Sequence, residues 1–163
     1  MSGCIFPGSF DPLTGGHLDL IRRAAAVFDT VKVAVMVNRS KAGCIPYEER
    51  VRLIQKACAG IPNVRAELWT GLLADYARLY PDHVIIRCVR NAQEFQQENA
   101  AAAVNRRLNP GMETVFMPAS GVWSDVSSSA VREIASFGGD YRSLVPGSIY
   151  RDLKKWLKPS DAK

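Results

Sequence analysis

The strongest constraint on this chain is its regular alternation of short apolar runs with stretches whose apolar residues recur at helical spacing. Val31 to Val37 is rich in β-branched residues and nearly all apolar, the pattern of a strand covered on both sides. Cys4-Ile5-Phe6, Val64 to Leu68, Val84-Ile85-Ile86 and Thr114 to Met117 read as four more strands, the first ended by Pro7-Gly8. Between them, Leu18, Ile21, Ala25 and Phe28 share one helical face. Tyr47, Val51, Ile54 and Cys58 share a second, and Leu72, Leu73, Tyr76, Ala77 and Tyr80 a third. Glu48 and Glu49 stand in the first turn of the second helix, where the helix dipole favours negative charge. Residues 92 to 108 read as a less periodic helix. Two more helices follow, one after the serine run at 127 and one spanning Ile149, Leu153 and Trp156.

Strands separated by helices imply βαβ units with right-handed crossovers. The expected fold is α/β, a doubly wound, Rossmann-like domain with a five-stranded parallel sheet and helices on both faces. One domain is expected over residues 1–158, with a disordered tail at 159–163. At 163 residues such a domain buries roughly 70% of its unfolded surface and needs no disulfide or structural metal. In this architecture ligands sit beyond the carboxyl ends of the strands, near the switch in winding direction. Functional residues should therefore lie just after strands.

The 21 Lys+Arg against 16 Asp+Glu leave a charge of +5, which suits an anionic partner without specifying it. Cys4, Cys44, Cys58 and Cys88 form no C-x-x-C pair, which argues against zinc and thioredoxin-like chemistry. The start of the chain reaches Pro7 and Asp11 too soon for a signal peptide, and no apolar stretch approaches the length of a membrane span. The expectation is a cytoplasmic protein with reduced cysteines, with no membrane or nucleic-acid partner.

Four polar segments follow strands. Phe6 to His17 contains Gly8, Ser9, Phe10, Gly15, Gly16 and His17 and opens a helix, so backbone amides and a favourable dipole meet an anion there. The plain alternative is a glycine-rich turn with a capping histidine. Asn38-Arg39-Ser40-Lys41 places a compact charge after the second strand, or else a solvated loop lysine. Arg87-Cys88-Val89-Arg90 follows the fourth strand, with Glu98 beyond it. Two arginines there can hold phosphate oxygens, or can simply pair with Glu94 and Glu98. Trp123-Ser124-Asp125-Val126-Ser127-Ser128-Ser129, with Arg132 one turn on, offers hydroxyls and free amides at a helix start. One serine would suffice as a cap. Trp123 reads equally as a core ring or an adenine neighbour.

In this order and spacing the segments resemble the phosphopantetheine adenylyltransferase branch of the nucleotidylyltransferase superfamily over nearly the whole chain. Gly8 to Pro12 resembles its Gly-(Thr/Ser)-Phe-Asp-Pro loop, and Thr14 to His17 its Thr-x-Gly-His. Lys41, Arg87 to Arg90 and Val126 to Arg132 match its later motifs, as do the Glu-Glu-Arg at 48 to 50 and Asn-Arg at 105 to 106. Cys88 stands where the family usually has glycine, Gln97 where an aromatic is common, and Val126 where isoleucine is usual.

The resemblance implies transfer of AMP from ATP to 4′-phosphopantetheine, giving dephospho-coenzyme A and pyrophosphate with Mg²⁺, by in-line attack without a covalent enzyme intermediate. It implies His17, Lys41, Ser9 and Arg90 as catalytic residues. Ser9, Lys41, Leu73 and Arg87 would bind phosphopantetheine. Ser9, Phe10, His17, Cys88, Val89, Arg90, Glu98 and the segment Trp123, Ser124, Asp125, Val126, Ser127, Ser128, Ser129 would bind ATP. Mg²⁺ is expected on the ATP phosphates without protein ligands. Coenzyme A is a candidate further ligand, and a homohexamer is implied. Two rival readings are a related enzyme using another phosphate acceptor, such as nicotinamide mononucleotide, and a non-catalytic nucleotide sensor.

Overall fold

Five parallel strands pair in the order β3-β2-β1-β4-β5 in a computed structural model that describes residues 2–37 and 43–159. The strands are β1 (Gly3–Gly8), β2 (Thr30–Met36), β3 (Val64–Trp69), β4 (His83–Val89) and β5 (Thr114–Pro118). The helices are α1 (Gly15–Val27), α2 (Tyr47–Ala57), α3 (Leu73–Arg78), α4 (Ala92–Leu108), α5 (Ser128–Ser136) and α6 (Tyr150–Leu153). Short 3₁₀ turns at Gly121–Trp123 and Arg142–Leu144 had no periodic signal in the sequence. The chain winds outward from β1 to β3, returns to place β4 against the other side of β1, and winds outward again to β5. The switch point lies between β1 and β4, so the loops after these two strands border one crevice.

Side chains of a strand alternate between faces. Cys4, Phe6, Val31, Val33, Val35, Val64, Ala66 and Ile86 accordingly join a larger core with α1, α2 and α5. Ile5, Ala34 and Ile85 join a smaller one with Ala74, Tyr76 and Ala77 of α3 and Met112. Helices thus cover both faces. The weak periodicity of residues 92–108 has a structural counterpart, since α4 buries no residue.

Several boundaries differ from the sequence reading. β1 does not end before Pro7-Gly8 but continues through them, because Pro7 and Gly8 keep their register against Ala34 and Val35. β4 runs on to Val89, so Arg87 and Cys88 belong to the strand rather than to the loop after it. The polar Arg87 broke the apolar run, yet a charge is tolerated where the strand end opens on a crevice. The last helix is a single turn at Tyr150–Leu153, followed by turns that still bury Leu157. The tail beyond Pro159 lies outside the described residues.

Candidate active site

The three helices that follow β1, β4 and β5 begin with side-chain caps, and their first turns line one cavity of about 270 Å³. Thr14 Oγ1 accepts from the His17 amide, Asn91 Oδ1 from Glu94 and Ser127 Oγ from Ala130. Side-chain caps satisfy some free amides of a first turn, and the remainder give an anion a favourable field.

The loop after β1 is held from three directions. Arg132 Nη1 donates to the Asp11 carbonyl at 2.6 Å, and Ser128 Oγ to the Pro12 carbonyl at 2.8 Å. Arg50 Nη1 donates to the Ser9 carbonyl at 2.9 Å. Phe10 has φ 47, a left-handed conformation that few non-glycine residues adopt. Its buried ring lies 5.1 Å from the His17 ring, edge to face, and Phe6 packs on the same histidine at 6.1 Å.

His17 faces the cavity with a defined tautomer. The Thr14 amide donates to Nδ1 at 3.0 Å, so the neutral ring carries its proton on Nε2. Enclosure lowers the imidazole pKa to about 4, and the charges of Arg90 and Arg87 push it the same way. The group is therefore a neutral hydrogen-bond donor at physiological pH.

The two arginines are both held by acids on α4. Glu98 receives Arg87 Nε and Nη2 at 2.6 Å each, while Nη1 donates to the Pro7 carbonyl at 2.7 Å. Glu94 receives Arg90 Nη2 at 2.5 Å and its amide at 2.8 Å. Arg87, Glu98 and Ser9 line both this cavity and a second of about 290 Å³, which Leu73, Met36, Ile85 and Asn105 also border. The cavities meet along these shared residues. One is mostly polar-ended, by His17, Arg90 and the α5 serines; the other offers an apolar wall.

Of the predicted residues, Ser9, Phe10, His17, Arg87, Cys88, Arg90, Glu98, Trp123, Val126, Ser127 and Ser128 line the first cavity. Val89, Ser124, Asp125 and Ser129 line neither it nor the second, and Leu73 lines the second. Ser127 is the helix cap, and Ser129 Oγ accepts from Arg132 at 3.3 Å. Trp123 is a half-buried ring laid over the start of α1, where a Cβ at Gly15 would collide with it. Lys41 lies outside the described residues. Sequence reasoning carries Asp11 and Arg50 only as members of matched motifs and assigns neither a role. The available signal was a charge on an apolar stripe, since Arg50 falls on the α2 face of Tyr47, Val51 and Ile54.

Among the described residues no cluster of three or more His, Cys, Asp or Glu is disposed to hold a metal ion. The carboxylates that line the cavities, Glu94 and Glu98, are held by arginines and do not form a protein cage for a metal.

The cytidylyltransferase-like family pattern matches residues 5–134. A phosphopantetheine adenylyltransferase of Clostridium kluyveri is 44% identical over 155 residues, 95% of this chain and 94% of that one. One of Rubrobacter xylanophilus is 46% identical over 163 residues, 100% and 99% of the two chains. In structure, a bifunctional NMN adenylyltransferase/ADP ribose pyrophosphatase of Francisella tularensis superposes with a TM-score of 0.74 at 16% identity, covering 96% of this chain and 49% of that one; at that identity the likeness concerns the fold. With the relatives matching nearly end to end, the chain belongs to the phosphopantetheine adenylyltransferase family of cytidylyltransferase-like proteins.

Proposed function

We propose that this protein transfers the adenylyl group of ATP to 4′-phosphopantetheine, forming dephospho-coenzyme A and pyrophosphate. The observation that carries the reading is the meeting of two cavities at Ser9 and Arg87, one with a polar end formed by His17, Arg90 and the α5 serines and the other with an apolar wall. A phosphate oxygen of the acceptor attacks the α-phosphorus in line. The bond to the β-phosphate oxygen breaks, and pyrophosphate carries that electron pair away. Such a transfer needs positioning and charge stabilisation more than covalent help.

In this reading His17 donates from Nε2 to the α-phosphoryl oxygens as charge grows on them. Ser9 and Lys41 hold the attacking phosphate, Arg87 anchors it from the sheet, and Leu73 packs along the pantetheine arm. Arg90 and the start of α5 take the β- and γ-phosphates, and Glu98 releases Arg87 as ligand enters. Mg²⁺ carried on the ATP phosphates that Arg90 and the start of α5 hold would supply charge neutralisation for the leaving pyrophosphate. Coenzyme A, sharing the pantetheine arm, is a further candidate for the same cavities.

We place the enzyme in the cytoplasm as a homohexamer. No helix among the described residues is long and apolar enough to cross a membrane. Phe95, Val104 and Leu108 leave α4 with apolar side chains 43%, 58% and 43% exposed, a surface suited to contact between copies. Light scattering tests the assembly. The reaction is tested by pyrophosphate release from ATP and Mg²⁺, with 4′-phosphopantetheine or nicotinamide mononucleotide offered in parallel. Release that depends on phosphopantetheine, with dephospho-coenzyme A formed, supports the assignment. A better rate with the mononucleotide overturns the acceptor.

A further inference from the structure

Arg50 carries its charge onto the buried face of α2 and is 3% exposed. Nη1 donates to the Ser9 carbonyl at 2.9 Å and Nε to the Ile45 carbonyl at 2.8 Å, while Nη2 stands 3.5 Å from the Asp11 carboxylate. The Tyr47 ring supports the cation at 4.4 Å. Asp11, 6% exposed, accepts from the amides of Cys44 at 3.0 Å and Ile45 at 2.9 Å. Neither Arg50 nor Asp11 lines either cavity, so neither reaches a substrate lying there.

A buried ion pair is a poor net stabiliser, since apolar side chains of similar volume often serve as well. What an apolar pair cannot do is hold a carbonyl in place. The Ser9 carbonyl belongs to the peptide plane that joins Ser9 to Phe10, and Phe10 has φ 47. The left-handed conformation is unfavourable for a bulky residue and persists only where its surroundings fix it. Releasing the Ser9 carbonyl lets this plane rotate, turning Ser9 away from the cavities and the Phe10 ring away from His17.

We propose that Arg50, oriented by Asp11, is a positioning residue for the reaction: it locks the Ser9–Phe10 peptide plane and so sets Ser9 toward the acceptor phosphate. The inference rests on the adenylyl-transfer reading above. Two substitutions test it. Arg50→Lys keeps the charge and loses the fork. Gly43→Ala leaves Arg50 intact but directs a Cβ into the space of its Nη2 atom.

In both, the KM for 4′-phosphopantetheine should rise about tenfold with kcat within about threefold, the signature of lost uniform binding. The ring-proton resonances of His17 should also shift, because the Phe10 ring above it tilts. Where Arg50→Lys does not fold, Gly43→Ala carries the test alone. Folded variants with KM within about twofold of wild type and an unmoved His17 resonance overturn the positioning role. Wild-type protein run alongside separates the two readings: if it forms no dephospho-coenzyme A, the reaction assignment falls first.

Discussion

The backbone amide of Thr14 points at Nδ1 of His17 across 3.0 Å, and the Thr14 hydroxyl lies 3.0 Å from the same nitrogen. One helix cap therefore both starts α1 and fixes the histidine's proton on the nitrogen that faces the cavity. With two histidines in the chain, ¹⁵N NMR can follow this ring directly. We expect an Nε2–H tautomer that stays neutral through pH 5–8 and charges only near pH 4. An imidazolium at pH 6 would contradict the cap.

The same shift has a consequence for stability. The folded imidazole sits near 4 and the unfolded one near 6.5, so the unfolded chain binds more protons between these values. Stability due to this group is complete above about pH 6.5 and is lost as pH falls toward 4. Denaturant midpoints across that window should fall with acid less steeply in His17→Ala than in wild type.

His17→Ala should also lower kcat by about 10²-fold or more, as for loss of one transition-state donor. Circular dichroism should show the fold kept, since the Thr14 cap survives in part and the site is open on one side. Unchanged turnover would remove His17 from the chemistry.

Much of this arrangement was legible in the residues. The order of strands and helices followed from periodicity, because a parallel sheet demands apolar runs and its crossovers demand amphipathic helices. The loops after strands were legible for the same reason. What escaped were effects that depend on which residues meet in space. Arg87 looked like a loop residue because its charge interrupts β4. Asp11 and Arg50 stand 39 positions apart in the sequence, and only the packing of α2 against the β1 loop brings them together. The three serines looked equivalent, yet their hydroxyls take different partners.

That difference gives the next prediction. Ser127→Ala removes a cap, which costs about 1 kcal/mol, and Ser128→Ala frees the Pro12 carbonyl. Each should raise the KM for ATP. Ser129 faces Arg132 and not the cavity, so Ser129→Ala should leave that KM within about twofold.

The cysteines should separate by reactivity. Cys44 is exposed, whereas Cys4 and Cys58 are buried, with thiols pushed up to about 12 and about 11. Cys88 is raised by burial and then by the charge of Glu94. A thiolate is the reactive form, so iodoacetamide at neutral pH should label Cys44 first in a mass-resolved time course. ATP should protect Cys88 and not Cys44.

The shared border of the two cavities makes a ligand's length matter. A molecule that fills only one side of the Ser9–Arg87 boundary gains one set of contacts. One that crosses it holds on by both ends, and each end keeps the other at high local concentration. On the proposed reaction the joined product spans that boundary, and it should therefore leave more slowly than pyrophosphate, which one end alone holds.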